Sequence, residues 1–336
     1  MNFWDGKKIL VTGASGLIGG YLCKALIDEG AIVTGYDMNI HGTLPWHGLH
    51  RDVFPDRVNG DILNYDMLNH FIQDKEFVFH LAANSGVEES RMMPRKSLDL
   101  NVMGTVNVLE ACQHVPTLKA VTIASSNHIY GEQDEYPVSE NAPLNQLDTY
   151  SVSKVCADYI ARMYAHNYGT PAVIIRNTNC YGPYDPHIKH IIPSAILSAL
   201  RGQQPVIKGT GDTKKGYLFT TDVAAGIMDA AEWSATHEAK GEVFNLSTDR
   251  ISVSALVGTI LTLTGSDLEP KILGSENDQN DEDLDWSKAK NLFGWEPKIS
   301  LEDGLKATID WIRDRDRNGN SIYTSESELQ GAARKE

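Results

Sequence analysis

The sequence predicts an α/β fold: a doubly wound parallel sheet over residues 1–180, a smaller C-terminal α/β substrate cap over 181–315, and a loosely attached tail over 316–336. Three observations carry that prediction. Short apolar runs alternate with amphipathic stretches, a glycine-rich turn joins the first run to the first amphipathic stretch, and the alternation loosens after a proline- and glycine-rich cluster at "NCYGPYDP". Strands alternating with helices imply parallel pairing through right-handed crossovers.

In chain order, "KKILVTG" is an apolar run ending in glycine, and "LIGGYLCKALIDEG" follows with helical spacing and a glycine stop. "AIVTGYD" reads as the second strand. "EFVFHLAA" and "KAVTIASS" are runs of the fully buried parallel type, with the helix "SLDLNVMGTVNVLEACQ" between them. The helix "TYSVSKVCADYIARMYAHNYG" and the strand "PAVIIRNTN" complete the pattern. Beyond the cluster come a helix near "IIPSAILSALRG", a "GYLFT" strand, the "TDVAAGIMDAAEW" helix, an "EVFNLS" strand and two late helical stretches, expected to lie on the carboxyl ends of the sheet strands. The last residues lack apolar periodicity.

Composition narrows the function classes. The 30 Lys and Arg against 45 Asp and Glu give a net charge of -15 with no long basic run, which argues against nucleic acid as a partner. No charged segment precedes an apolar one at the start, and no apolar run is long enough to cross a bilayer, so a soluble, cytoplasmic protein is expected. Cys23, Cys112, Cys156 and Cys180 are widely spaced, which suggests neither a zinc site nor a disulfide framework, and no metal is expected.

"VTGASGLIGG" places Gly13, Gly16 and Gly19 at three-residue intervals between the first strand and first helix. Glycines there let backbone amides approach a pyrophosphate, and the helix N-terminus adds partial positive charge. Leu17 and Ile18 belong to the same turn. Asp37 ends the second strand, where a carboxylate accepts ribose hydroxyls and repels a 2'-phosphate, so NAD is expected rather than NADP. Asp61 and Ile62 in "NGDILN" are placed for the adenine, and Ala82 and Ala83 in "HLAANSG" for a close pass of the fourth strand by the cofactor.

Tyr150 and Lys154, four residues apart, share a helix face. A nearby ammonium, with the positive nicotinamide ring, favours phenolate and is expected to lower the tyrosine pKa toward neutrality, so that Tyr150 takes a proton from a sugar hydroxyl. Ser126, at the end of the fifth strand in "IASSNHIYG", is placed to hold the same hydroxyl.

The segments "TGASGLIGG", "HLAAN", "NVMGTVNVLEAC", "ASSNHIYG", "TYSVSK", "NCYGP" and "GWEP" together resemble the extended short-chain dehydrogenase/reductase superfamily, specifically its NAD-dependent sugar epimerase/dehydratase family, over about residues 7–313. The resemblance implies a Rossmann domain, a tightly held NAD, a catalytic set falling on Ser126, Tyr150 and Lys154, and a nucleotide-sugar substrate. It also implies that Asn101 helps order the site, that Asn179 contacts substrate near its diphosphate, and that two chains pair through the helices starting near Ser97 and Tyr150.

The reaction is less sharply defined. The family's dehydratases carry an ionisable pair after the Ser/Thr, where this chain has Asn127 and His128. Asn127 cannot ionise, which favours an isomerase over a lyase and a 4-epimerase over a 4,6-dehydratase. "SSNH" also resembles the strand end of uronate dehydrogenases, so a sugar dehydrogenase is an alternative. His128 is either a base at a carbon beside a transient 4-ketone, giving a dehydratase or multi-centre epimerase, or a polar neighbour orienting substrate or Asn127. A noncatalytic NAD sensor is a third reading, opposed by the intact Tyr150 and Lys154. Lys215 stands where the family usually has a phosphate-binding arginine, and no arginine occurs between Ile251 and Ile312. The diphosphate grip is therefore expected to be altered or absent.

Overall fold

The computed structural model describes residues 2–39, 56–238, 240–274 and 281–317. Its strands run in chain order as β1 (Lys8–Thr12), β2 (Ile32–Asp37), β3 (Asp56–Asn59), β4 (Phe77–His80), β5 (Ala120–Ala124), β6 (Ala172–Asn177), β7 (Asn179–Tyr181), β8 (Val206–Ile207), β9 (Lys214–Phe219), β10 (Glu242–Leu246), β11 (Arg250–Ser252) and β12 (Lys271–Ile272). Seven of them form one parallel sheet, in the order β10-β6-β5-β4-β1-β2-β3. The doubly wound sheet predicted from the alternating pattern is therefore present. Strand order reverses between β1 and β4, the crevice where open α/β sheets bind ligands.

Both faces of the sheet are covered, which is why its strands read as continuous apolar runs. Successive side chains alternate between faces: Ile9, Val11, Phe77 and Phe79 join one core with Leu22, Leu26 and Ile227. Leu10, Val78, Val121 and Ile123 join the other with Leu68, Leu109 and Ala161. The "EVFNLS" strand, grouped by sequence with the cap, belongs instead to this sheet as β10, parallel to β6, with Val243, Phe244 and Leu246 buried.

The helix predicted over "SLDLNVMGTVNVLEACQ" is interrupted in a way that the sequence does not signal. An α segment Pro94–Leu98 passes through a π-helical stretch Asp99–Met103 into the α-helix Gly104–Gln113. The helix Thr149–Tyr168 starts at Asp148, whose carboxylate accepts from the Ser151 amide at 3.0 Å, and stops at Gly169 in the left-handed conformation.

The described residues divide into two compact units, one from segments 2–39, 56–180, 214–238, 240–250 and 281–298, the other from segments 181–213, 251–274 and 299–317. In the second, helices Ile191–Leu200, Val253–Thr264 and Leu301–Arg317 pack together, burying Ile196, Leu256, Ile260, Leu305 and Ile309, and β8 pairs with β12. The tail expected over 316–336 lies, apart from 316 and 317, outside the described residues. No helix among the described residues is long and apolar enough to cross a membrane.

Candidate active site

The cofactor end follows from backbone constraints at the carboxyl edge of the sheet. Gly13 has φ +70°, and a Cβ there would sit 2.5 Å from the Ala82 amide nitrogen, so the β1 turn and the end of β4 can touch only through glycine. A Cβ on Gly19 would overlap the Gly13 carbonyl. Gly16 caps the helix Leu17–Asp28 with no side-chain hydrogen bond, and Leu17 and Ile18 in its first turn are half-buried. The Ser15 hydroxyl is buried with no partner among the described residues. A helix N-terminus behind a cradle that side chains would fill fits the pyrophosphate of a dinucleotide.

Asp37 stands beside this turn: one carboxylate oxygen accepts from the Ser15 amide at 3.0 Å and the other from the Asn39 amide at 2.9 Å. Each oxygen keeps a second lone pair. Asp61 accepts from the Leu63 amide at 2.8 Å, and Ile62 is buried against Gly104. Ala82 and Ala83 follow β4, half-buried.

Asn101, in the π-helical stretch, links the two ends of the site. Its oxygen accepts from the Asn84 amide at 2.7 Å, while its nitrogen donates to the Asn84 carbonyl at 3.0 Å and to the Ser153 hydroxyl at 2.8 Å. Ser153 in turn donates to the Tyr150 carbonyl. The loop after β4 is thereby tied to the helix that carries Tyr150 and Lys154.

Tyr150 and Lys154 are buried, at 8% and 6% exposure, so the pair is no surface i,i+4 contact. Lys154 Nζ donates to the Ala124 carbonyl at the end of β5, 2.9 Å away. Ser126, two residues on, accepts from the His128 amide at 3.2 Å, donates to Asn127 Oδ1 at 3.4 Å and lies near enough to the Tyr150 phenol to favour its ionised form. The end of β5 thus brings Ser126 beside Tyr150 and receives Lys154 Nζ. Burial pushes the phenol above its ordinary value, Ser126 pulls it back, and Asp148 adds to the rise. Lys154 spends its hydrogen bond on Ala124, and burial brings its own pKa down to about 8.

Two buried features missed by sequence support this pair. Arg176 donates to both oxygens of Asp158 at 2.9 and 3.0 Å and to the Tyr130 hydroxyl at 2.8 Å, fastening the Tyr150 helix to the 3-10 turn Asn127–Tyr130. His80 bridges Thr12 and Thr105 at 2.8 and 3.0 Å, and burial, with the Lys154 charge second, lowers its pKa to about 3. It is neutral at physiological pH.

At the substrate end, Asn127, Asn179 and Lys215 converge on Glu282, a residue that nothing in the sequence singles out. Its Oε2 accepts from Asn127 Nδ2 at 2.6 Å and Asn179 Nδ2 at 2.8 Å, and its Oε1 accepts from Lys215 Nζ at 2.8 Å. Asn179 lies on β7 and Lys215 on the neighbouring β9. Burial alone would raise the Glu282 pKa, but the Lys215 and His128 charges and the hydrogen bonds outweigh it and hold the carboxyl below its ordinary range. The His128 ring stands edge-on to Tyr150, centroids 6.0 Å apart.

The chain and its fold resemble known proteins. Residues 9–247 match the NAD dependent epimerase/dehydratase family. The chain is 32% identical to a protein of Methanocaldococcus jannaschii named as a putative UDP-glucose 4-epimerase, over 92% of this chain and 99% of that one. It is 29% identical to the CDP-glucose 4,6-dehydratase of Salmonella typhimurium, over 98% and 96%. The structure resembles that of the UDP-glucuronic acid 4-epimerase of Bacillus cereus, solved with UDP-glucuronic acid and NAD, with a TM-score of 0.83 and 30% identity over 91% of this chain and 99% of that one.

Proposed function

The chain belongs to the NAD dependent epimerase/dehydratase family, with NAD as its cofactor, and on that premise we propose that it is a nucleotide-sugar epimerase acting by transient oxidation at sugar C4. One observation carries the choice of reaction: the position after Ser126, Asn127, is an amide whose nitrogen is committed to Glu282.

NAD, when bound, supplies the acceptor and donor of a hydride. The chain's own residues manage the hydroxyl. Tyr150 takes the hydroxyl proton and later returns it, while Ser126 holds the oxygen by a hydrogen bond. The Lys154 ammonium, held by Ala124, favours the phenolate as the proton leaves. Asn127 has no proton to give a departing C6 hydroxyl, which speaks for an isomerase over a lyase. His128 serves to orient its neighbours.

In this reading Gly13, Gly16, Leu17, Ile18 and Gly19 receive the pyrophosphate, Asp37 the ribose, and Asp61 and Ile62 the adenine, with Ala82, Ala83 and Asn101 shaping the nicotinamide end. Residues 181–315 are read mainly as the substrate-binding cap. A homodimer is supported by exposed apolar side chains on the helices from Val87 to Met163, among them Met92, Leu98, Met103 and Tyr159. The test is product NMR on NAD-loaded protein offered UDP-, dTDP- and CDP-linked hexoses. A C4 epimer is expected, and a 4-keto-6-deoxy product would replace this reading with dehydration.

A further inference from the structure

Glu282 occupies an unusual place. Three side chains, Asn127 from the turn after β5, Asn179 from β7 and Lys215 from β9, all donate to one carboxylate. The Lys215 and Glu282 side chains are only 10% and 15% exposed, so solvent does little to screen the pair. A carboxylate accepts and never donates when ionised, so the Asn127 and Asn179 amides must present nitrogen to it. An anion arriving at Lys215 and Asn179 meets a negative charge already holding both donors.

We infer that Glu282 is a specificity-determining residue: it acts as a resident anion at Asn127, Asn179 and Lys215, so that the substrate brings an uncharged, hydroxyl-bearing group to this position, and any phosphate it carries is held elsewhere. A neutral hydroxyl is compatible with the paired charges, because it can donate to the carboxylate and accept from the ammonium. A phosphate can only accept and is repelled by Glu282. The inference rests on the sugar-epimerase reading for the nature of the substrate but not for its test, which needs no turnover.

The test is calorimetric titration of inorganic pyrophosphate into NAD-loaded wild type, Glu282→Gln, and Glu282→Gln with Lys215→Met. Removing one buried like charge is expected to tighten pyrophosphate binding by about tenfold or more in Glu282→Gln, and Lys215→Met should abolish that gain. Should Glu282→Gln lose folded content, Glu282→Leu, which also removes the charge, is expected to show the same tightening. Equal affinity in wild type and both Glu282 variants, or weaker binding on removing the carboxylate, overturns the inference. So does a gain that survives Lys215→Met. Failure of the epimerase reading would appear separately, as absence of a C4 epimer with this binding pattern intact.

Discussion

The two ends of the site are built by different means. At the cofactor end, one local stretch, Gly13 to Gly19, meets the ends of β2 and β4, and backbone geometry decides which residues fit: a Cβ on Gly13 or Gly19 would collide with main-chain atoms. At the substrate end, side chains from positions 127, 179, 215 and 282 meet across a span of 155 residues. The first arrangement can be read as a motif. The second exists only after folding, because no spacing joins a glutamate in "NDEDLDW" to an asparagine more than a hundred residues earlier. Tyr150 and Lys154 stand between the two.

The largest effect is expected at this junction. Tyr150→Phe removes the proposed proton-transfer group and should lower kcat on the order of a thousandfold while the fold and NAD content remain. Measured turnover within a few-fold of wild type would mean that the phenol is not the acid-base group and that the two ends do not meet there.

The cofactor end is probed next. Gly19→Ala places a methyl group against the Gly13 carbonyl and should weaken NAD binding with a stability loss of about 1–3 kcal/mol. Asp37→Ala should reduce NAD affinity by roughly tenfold, the scale of a lost hydrogen bond to a charged group, with little gain for NADP. NADP in the cofactor pool released from wild type would contradict the role of Asp37.

These substitutions fall where sequence was most informative. The sheet, the glycine turn, Asp37 and the set Ser126, Tyr150 and Lys154 were legible, because each depends on a local periodicity or a short spacing. The place of β10 was not, since an apolar strand does not encode which sheet edge it will join. The π-helical stretch around Asn101, the buried Arg176–Asp158–Tyr130 link and Glu282 were also invisible, each being a contact between residues far apart in the chain or a distortion without a compositional mark. Four-residue spacing places the lysine on the same face as Tyr150 but says nothing about the burial that raises the phenol pKa or about the Ala124 carbonyl.

A further effect is expected on stability against pH. Burial lowers the Lys154 pKa to about 8, below its ordinary 10.5, so between these values the unfolded chain binds more protons than the folded one. Stability contributed by this group therefore rises as pH rises from 8 toward 10. Wild type should gain on Lys154→Met over that interval by up to ~2 kcal/mol in denaturant unfolding, at 1.36 kcal/mol per pKa unit. A difference that is flat or falls with pH would place the ammonium in a more solvated setting than the structure shows.

The central claim is that this site moves a proton on oxygen and none on carbon. The most direct measurement is to run the reaction in D2O and locate deuterium in the product by NMR and mass spectrometry. Epimerisation at C4 returns the same hydrogen to carbon, so no carbon-bound deuterium is expected. Dehydration, or epimerisation at C3 or C5, removes a proton beside a 4-ketone and replaces it from solvent. Deuterium on carbon that disappears in His128→Asn would contradict the account and make His128 the base.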